Sequence, residues 1–169
     1  IMKTKLFFLA FLTSLLSWGQ ITEGFESGLS TSGYVTTATL SSGTWTGVDA
    51  LLRTTNKNSG TYGCQIKATT GVMNTPSLNT CGVVKFWANK VTQVSKTIGG
   101  TTTTLTATAG STVGAFTEYT VTVNDASTAI IISIKNKTTG VGYIDDFSST
   151  VYSAGPAPIL AITPATTNL

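Results

Sequence analysis

Val94-Ser95-Lys96-Thr97-Ile98-Gly99-Gly100-Thr101-Thr102-Thr103-Thr104-Leu105-Thr106-Ala107-Thr108 reads as two strands folded back on each other. Threonine, valine and isoleucine are branched at Cβ, which stiffens χ1, suits the pleated surface of a sheet and makes them weak helix formers. Gly-Gly supplies the two positive-φ residues that a two-residue hairpin turn of matching twist demands. The sequence therefore predicts a hairpin of 94–98 with 101–108. The four consecutive threonines fit an edge or a sheet face and call for no special function.

Working outward, the same signals recur on both sides. Val83 to Val91 alternates, with Val84, Phe86 and Ala88 opposed to Lys85, Trp87 and Asn89. Tyr62 to Ala68 places Cys64, Ile66 and Ala68 on one face and Gln65 and Lys67 on the other. Residues 118–123, 129–135 and 142–147 read as three more strands, the last two joined by the turn Asn136-Lys137-Thr138-Thr139-Gly140. Nearer the start, 21–26, 34–40 and 48–54 are strand candidates. No stretch after Gln20 sustains the 3.6-residue apolar period of a helix. Roughly eight to ten short strands, with turn signals every 8–12 residues, give an all-β protein with the rhythm of a sandwich or barrel.

Composition agrees and excludes several functions. Of 169 residues only 10% are charged, and none is histidine, against about a quarter charged in ordinary domains. Without histidine there is no Ser-His-Asp triad, Cys-His dyad or HExxH zinc site. Glycoside hydrolysis by paired carboxylates needs only acids, but nothing in the sequence marks a cleft. The domain is expected to be non-catalytic, with no catalytic residues assigned.

The first 19 residues read as an export signal: Lys3 and Lys5, then the apolar run Leu6–Leu16, then Ser17-Trp18-Gly19 ahead of cleavage before Gln20. The run is shorter than the ~20 residues that span a bilayer, so no stable membrane insertion is expected after its removal. The mature protein is expected to be secreted or held at the cell surface. Lys3 and Lys5 leave with the signal, so ten basic residues become eight against seven acidic, a net charge of +1. No basic cluster remains to grip phosphates, and nucleic acid is not an expected partner. Export favours a disulfide between Cys64 and Cys81, the other reading being two buried thiols that never meet. The main domain is expected over 20–152. Ser153 to Pro158 has linker composition, and 159–169 reads as the start of a further, truncated domain.

Several fragments occur in a familiar order: Gly24-Phe25-Glu26-Ser27-Gly28; Arg53, then Ser59-Gly60-Thr61-Tyr62-Gly63-Cys64-Gln65-Ile66-Lys67; Thr75-Pro76-Ser77-Leu78; Val84-Lys85-Phe86-Trp87; Thr120 to Asn124; and Tyr143-Ile144-Asp145-Asp146-Phe147. This order, over about 21–152, resembles secreted bacterial modules of the choice-of-anchor, MAM-like and galactose-binding-like kind. Such modules are common at the front of exported multidomain proteins of Bacteroidetes-type bacteria, and they are similar to carbohydrate-binding modules. The resemblance implies a two-sheet antiparallel β-sandwich of jelly-roll type. It also implies a structural Ca²⁺ site drawing on Glu26 and Asp146, with Asp145 as a third candidate. Strict alternation along 144–147 puts only one of the two aspartates toward the core edge, and the pair could equally cap a strand end in solvent. Asp49 reads as a turn residue.

Aromatic and polar side chains supply the candidate ligand site. With Phe86 in the core, Trp87 faces outward, where a flat apolar ring can stack on a sugar or a partner surface; the alternative is a second packed layer. Tyr143 is a further candidate. Arg53, the one arginine, either contacts a ligand or pairs with an acid. Trp45 is expected to pack first and meet ligand second. Taken together, the sequence points to a binding or adhesion module for a glycan or an extracellular surface, within a longer polypeptide whose downstream domains are its covalent partners. Two alternatives stand beside it: an accessory domain of a secreted hydrolase or nuclease, and a purely structural spacer.

Overall fold

A computed structural model describes residues 20–90 and 92–155. The signal segment and the 159–169 segment lie outside the described residues. Among the described residues twelve strands follow one another: β1 Thr22–Glu23, β2 Val35–Leu40, β3 Gly43–Arg53, β4 Gly63–Ile66, β5 Val72–Asn74, β6 Cys81–Ala88, β7 Thr92–Ile98, β8 Thr101–Leu105, β9 Ala107–Val113, β10 Phe116–Asp125, β11 Ile131–Asn136 and β12 Gly142–Ser149. Among the described residues there is no helix.

All pairings are antiparallel, in the order β8-β7-β11-β5-β3-β4-β12-β6-β10-β9, with β1 beside β12 and β2 beside β3. Strand β3 joins the two halves. Thr46 in its first half meets Asn74 of β5, while Ala50 to Arg53 pair with β4. Folded over at β3, the halves form a sandwich and enclose one core. Met73, Val94, Ile132 and Ile134 come from one layer; Cys64, Val84, Phe86, Val121, Ile144 and Phe147 come from the other. Cys64 Sγ lies 3.8 Å from Met73 Sδ, a contact across the layers. Trp45 is fully buried, its ring meeting Phe25 (5.6 Å, 68°) and Phe147 (5.2 Å, 87°) edge to face, the arrangement that the aromatic quadrupole favours.

The hairpin forms as expected, with Gly99 and Gly100 at φ 55° and 82°. Its second strand stops at Leu105, however. After Thr106 the chain crosses to the other layer and pairs as β9 with β10. Threonine hydroxyls pair across both joins, Thr97 with Thr102 at 2.8 Å and Thr112 with Thr117 at 3.2 Å. The expected strand 21–26 shrinks to two residues because Phe25 turns the chain at φ 54°. The short β5 carries no legible alternation. Asp49 is a strand residue and not a turn residue: it lies within β3, 4.0 Å from Lys67 Nζ.

Two further expectations are corrected. Cys64 and Cys81 are free, buried thiols. Strand β12 separates their strands, a lateral gap of about 9–10 Å. Cys64 also lies level with Ile144 and Ala88, seven residues along β6 from Cys81, roughly 23 Å at strand rise. A disulfide needs Cα atoms within about 7 Å. Burial, with Asp145 and Glu23 adding negative charge, raises the Cys64 thiol far above its usual range. Burial, with Asp125 adding, pushes Cys81 up to about 11.

Strict alternation also fails at 144–147. Between Asp145↔Trp87 and Ser148↔Lys85, two residues of β12 oppose one of β6, and Asp146 adopts φ 46°. This bulge lets Ile144 and Phe147, three residues apart, both enter the core. It buries Asp145 and leaves Asp146 half-exposed.

Candidate functional site

Leu52, Cys64 and Ile144 point into the core from neighbouring strands. Period-two alternation therefore sends Leu51, Gln65 and Tyr143 to the opposite face, where register sets them in one row, Leu51↔Gln65↔Tyr143. Gln65 is buried at the centre of a polar cluster. Its Oε1 accepts the Tyr143 hydroxyl at 3.0 Å and Arg53 Nε–H at 3.2 Å. Its Nε2 donates to the Tyr34 hydroxyl. Lys67 Nζ stands 5.9 Å from the centroid of the Tyr34 ring. The amide thus links two tyrosines and the only arginine, with each of its hydrogen-bonding atoms engaged.

Arg53 also lines a cleft of about 230 Å³ with Thr31, Leu52, Thr54 and Tyr62. The lining combines an aromatic residue, Tyr62, with two threonines and Arg53; Leu52 borders it while its side chain enters the core. That mixture suits a small ligand carrying both hydroxyl edges and an apolar face. Two of the three side chains expected to meet ligand, Arg53 and Tyr143, are brought together here. The third is not: Trp87 is half-buried on the same face, opposite Asp145 and Glu118 in register. It lies three strands from Arg53, about 14 Å at sheet spacing.

The segment 54–62, which carries Thr54 and Tyr62 of the cleft, is held by the three acids that the resemblance singled out. Asp145 Oδ2 accepts the N–H groups of Asn58 (2.8 Å) and Ser59 (3.1 Å). Asp146 accepts Asn58 Nδ2 at 2.8 Å and Ser59 Oγ at 2.7 Å. Glu26 accepts Thr61 N–H on both oxygens, at 2.9 and 3.2 Å, and Tyr62 N–H at 3.5 Å. The three carboxylates therefore do converge, but on one loop, Glu26 and Asp145 on its backbone and Asp146 on its side chains. Asp145 Oδ1 takes the N–H of Asp146, so every oxygen of the three carboxylates faces a hydrogen-bond donor. Calcium requires six to eight oxygens turned toward one point. Among the described residues no group of three His, Cys, Asp or Glu has that placement. As arranged, these residues do not fit the expected cation.

Burial pushes Asp145 up to about 6, against the pull of the N–H groups of Ser59 and Asn58; the neighbouring charge of Asp146 adds to the rise. Asp125 is the opposite case: Lys96 Nζ, 2.6 Å away, and Ser127 hold it down to about 2. That pair ties β7 of one layer to β10 of the other.

Two buried polar residues escaped the sequence reading. Glu23 accepts Phe25 N–H, Ser41 Oγ, Ser42 N–H and Ser42 Oγ at 2.8–3.0 Å, and Ser42 Oγ in turn accepts the Trp45 indole N–H at 2.8 Å. Asn136, read only as a turn residue, accepts from Thr138 and donates to the carbonyls of Ile66, Lys67 and Gly140. No local pattern marks Glu23, because three of its four donors lie 18 or 19 residues away.

No family model matches the chain, and no curated protein matches it. Among solved structures the chain is similar to an N-terminal fragment of endo-1,4-β-D-xylanase 10B from Clostridium thermocellum, containing CBM22-1 and GH10 modules in complex with xylohexaose. The TM-score is 0.51 at 14% identity, over 79% of this chain and 28% of that one. The likeness supports the fold, an all-β antiparallel sandwich of the jelly-roll type seen in carbohydrate-binding modules. This chain spans little more than a quarter of the length of that protein.

Proposed function

We propose that this domain is a non-catalytic glycan-binding module of an exported protein, and that it binds through the Arg53–Gln65–Tyr143 face and the adjoining cleft. The carrying observation is the cluster itself. Gln65, buried with both amide heteroatoms engaged, holds Arg53, Tyr34 and Tyr143, and Arg53 in turn lines a cleft that also offers Tyr62 and two threonines. Pre-oriented polar groups beside aromatic faces match a sugar, which presents hydroxyls at its rim and an apolar ring face. The jelly-roll likeness supports the reading at the level of fold.

A specific observation favours an accessory placement: the similar solved structure joins such a module to a GH10 module in one chain. In this reading the domain holds a partner domain of the same polypeptide against its polysaccharide. Adhesion to a cell surface is the competing use of the same site.

The test is a glycan array probed with the full chain, followed by titration calorimetry on the hits. Binding to at least one polysaccharide, weakened tenfold or more in Gln65→Ala and Tyr62→Ala but retained in Trp87→Ala, is expected. Absence of any glycan binding by a folded wild type removes the proposal. Loss confined to Trp87→Ala moves the site to β6.

A further inference from the structure

We infer that the subsite at Arg53 takes a carboxylate, so that the glycan recognised is an acidic one containing uronic acid residues; this rests on the glycan-binding reading above. Seven acidic residues are present, and each is engaged elsewhere. Asp49, Glu118 and Asp125 stand with Lys67, Lys85 and Lys96. Glu23 is buried among four donors, Glu26 and Asp145 hold the 58–62 backbone, and Asp146 holds the side chains of Asn58 and Ser59. Among the described residues no carboxylate pairs with Arg53. Among the described residues its one side-chain bond, from Nε to Gln65, fixes one edge of the guanidinium and leaves the terminal nitrogens without a protein partner, on a residue that lines the cleft.

A planar fork held at one edge is the group that binds a carboxylate through two parallel hydrogen bonds. A hydroxyl offers it a single acceptor oxygen without charge. The surroundings agree with an anion. Lys57 lies in the segment that lines the cleft, its Nζ 3.0 Å from Thr61 O. The nearby Glu26 turns both oxygens to the N–H groups of Thr61 and Tyr62. Tyr62 offers an aromatic face for the ring, and Thr31 and Thr54 offer hydroxyls to its remaining oxygens. At about 230 Å³ the space is below the ~300–1,000 Å³ of drug-sized pockets, so it is read as a single-residue subsite.

The experiment titrates the full chain with polygalacturonate, polyglucuronate and alginate, each beside its carboxyl-reduced neutral polymer, at low and high NaCl. At least one acidic polymer is expected to bind tenfold or more tightly than its reduced form, with affinity falling as salt rises. Arg53→Gln should abolish that preference. Arg53→Lys, which keeps charge and stem but loses the fork, should lose most of it. Both variants are expected to melt within a few degrees of wild type, since Arg53 is exposed. Equal binding of acidic and reduced polymers, or a preference unchanged in both variants, overturns the carboxylate subsite and leaves the glycan reading standing. Binding to none of the six polymers, together with a blank glycan array, removes both.

Discussion

Asp145 accepts the backbone N–H of Asn58 at 2.8 Å, across 87 residues of sequence. The contact joins β12 to the segment that frames the cleft. It is made by a buried carboxylate whose burial opposes its charge.

A pH dependence with two opposite slopes is expected. With Asp145 raised from 3.8 to about 6, the folded chain holds a proton between those values that the unfolded chain has released. Stability is therefore highest with Asp145 protonated and falls as pH rises through that window, by up to about 3 kcal/mol. Asp125, lowered to about 2, contributes stability that is present above 3.8 and lost as pH falls toward 2. Urea unfolding from pH 2 to 8 should show a maximum near pH 4. Asp145→Asn should flatten the upper slope and Asp125→Asn the lower one.

Glu23→Gln should destabilise the domain by about 1.5–3 kcal/mol, because it turns an amide NH₂ toward donors that now meet a carboxylate. Ser41→Ala, which removes one of four donors, should cost about 1 kcal/mol. Chemical denaturation of the three proteins checks the order. Equal stability of Glu23→Gln and wild type contradicts the role assigned to this carboxylate.

Both thiols should be silent toward a thiol reagent in the native protein and titrate as two per chain in denaturant. Intact mass should show no loss of two hydrogens. These outcomes follow from burial and from thiol pKa values held above the usual range.

Melting temperature should be unchanged by a chelator and by millimolar Ca²⁺, because donors already face the oxygens of Glu26, Asp145 and Asp146. A calcium-dependent rise would show that the 58–62 segment can give up those oxygens to a cation.

Gly28→Ala should be costly. Gly28 sits at φ 84°, and an added Cβ would lie 2.2 Å from the Thr39 carbonyl oxygen. A loss of about 2 kcal/mol or more is expected. Gly99→Ala, at φ 55° in open space, should cost about 1 kcal/mol. Comparing the two separates backbone conformation from collision.

The amino-acid sequence by itself determined the class of structure and the facing of its clearest strands. Val84, Phe86 and Ala88 enter the core while Lys85 and Trp87 face away, because side-chain alternation is a local property of extended backbone. The Gly99-Gly100 turn was legible for the same reason: its φ values are set by the residues themselves. Tertiary structure alone decided the rest. Gln65 became the centre of a site because register set Tyr143 beside it and the fold brought Tyr34 to its amide. The bulge at Asp146 turned the expected alternation into two core residues and a buried acid. Cys64 and Cys81, 17 residues apart in sequence, were parted by an intervening strand from the far end of the chain. Strand order, register and bulges depend on which distant segments share a core, and a local pattern carries no record of that choice.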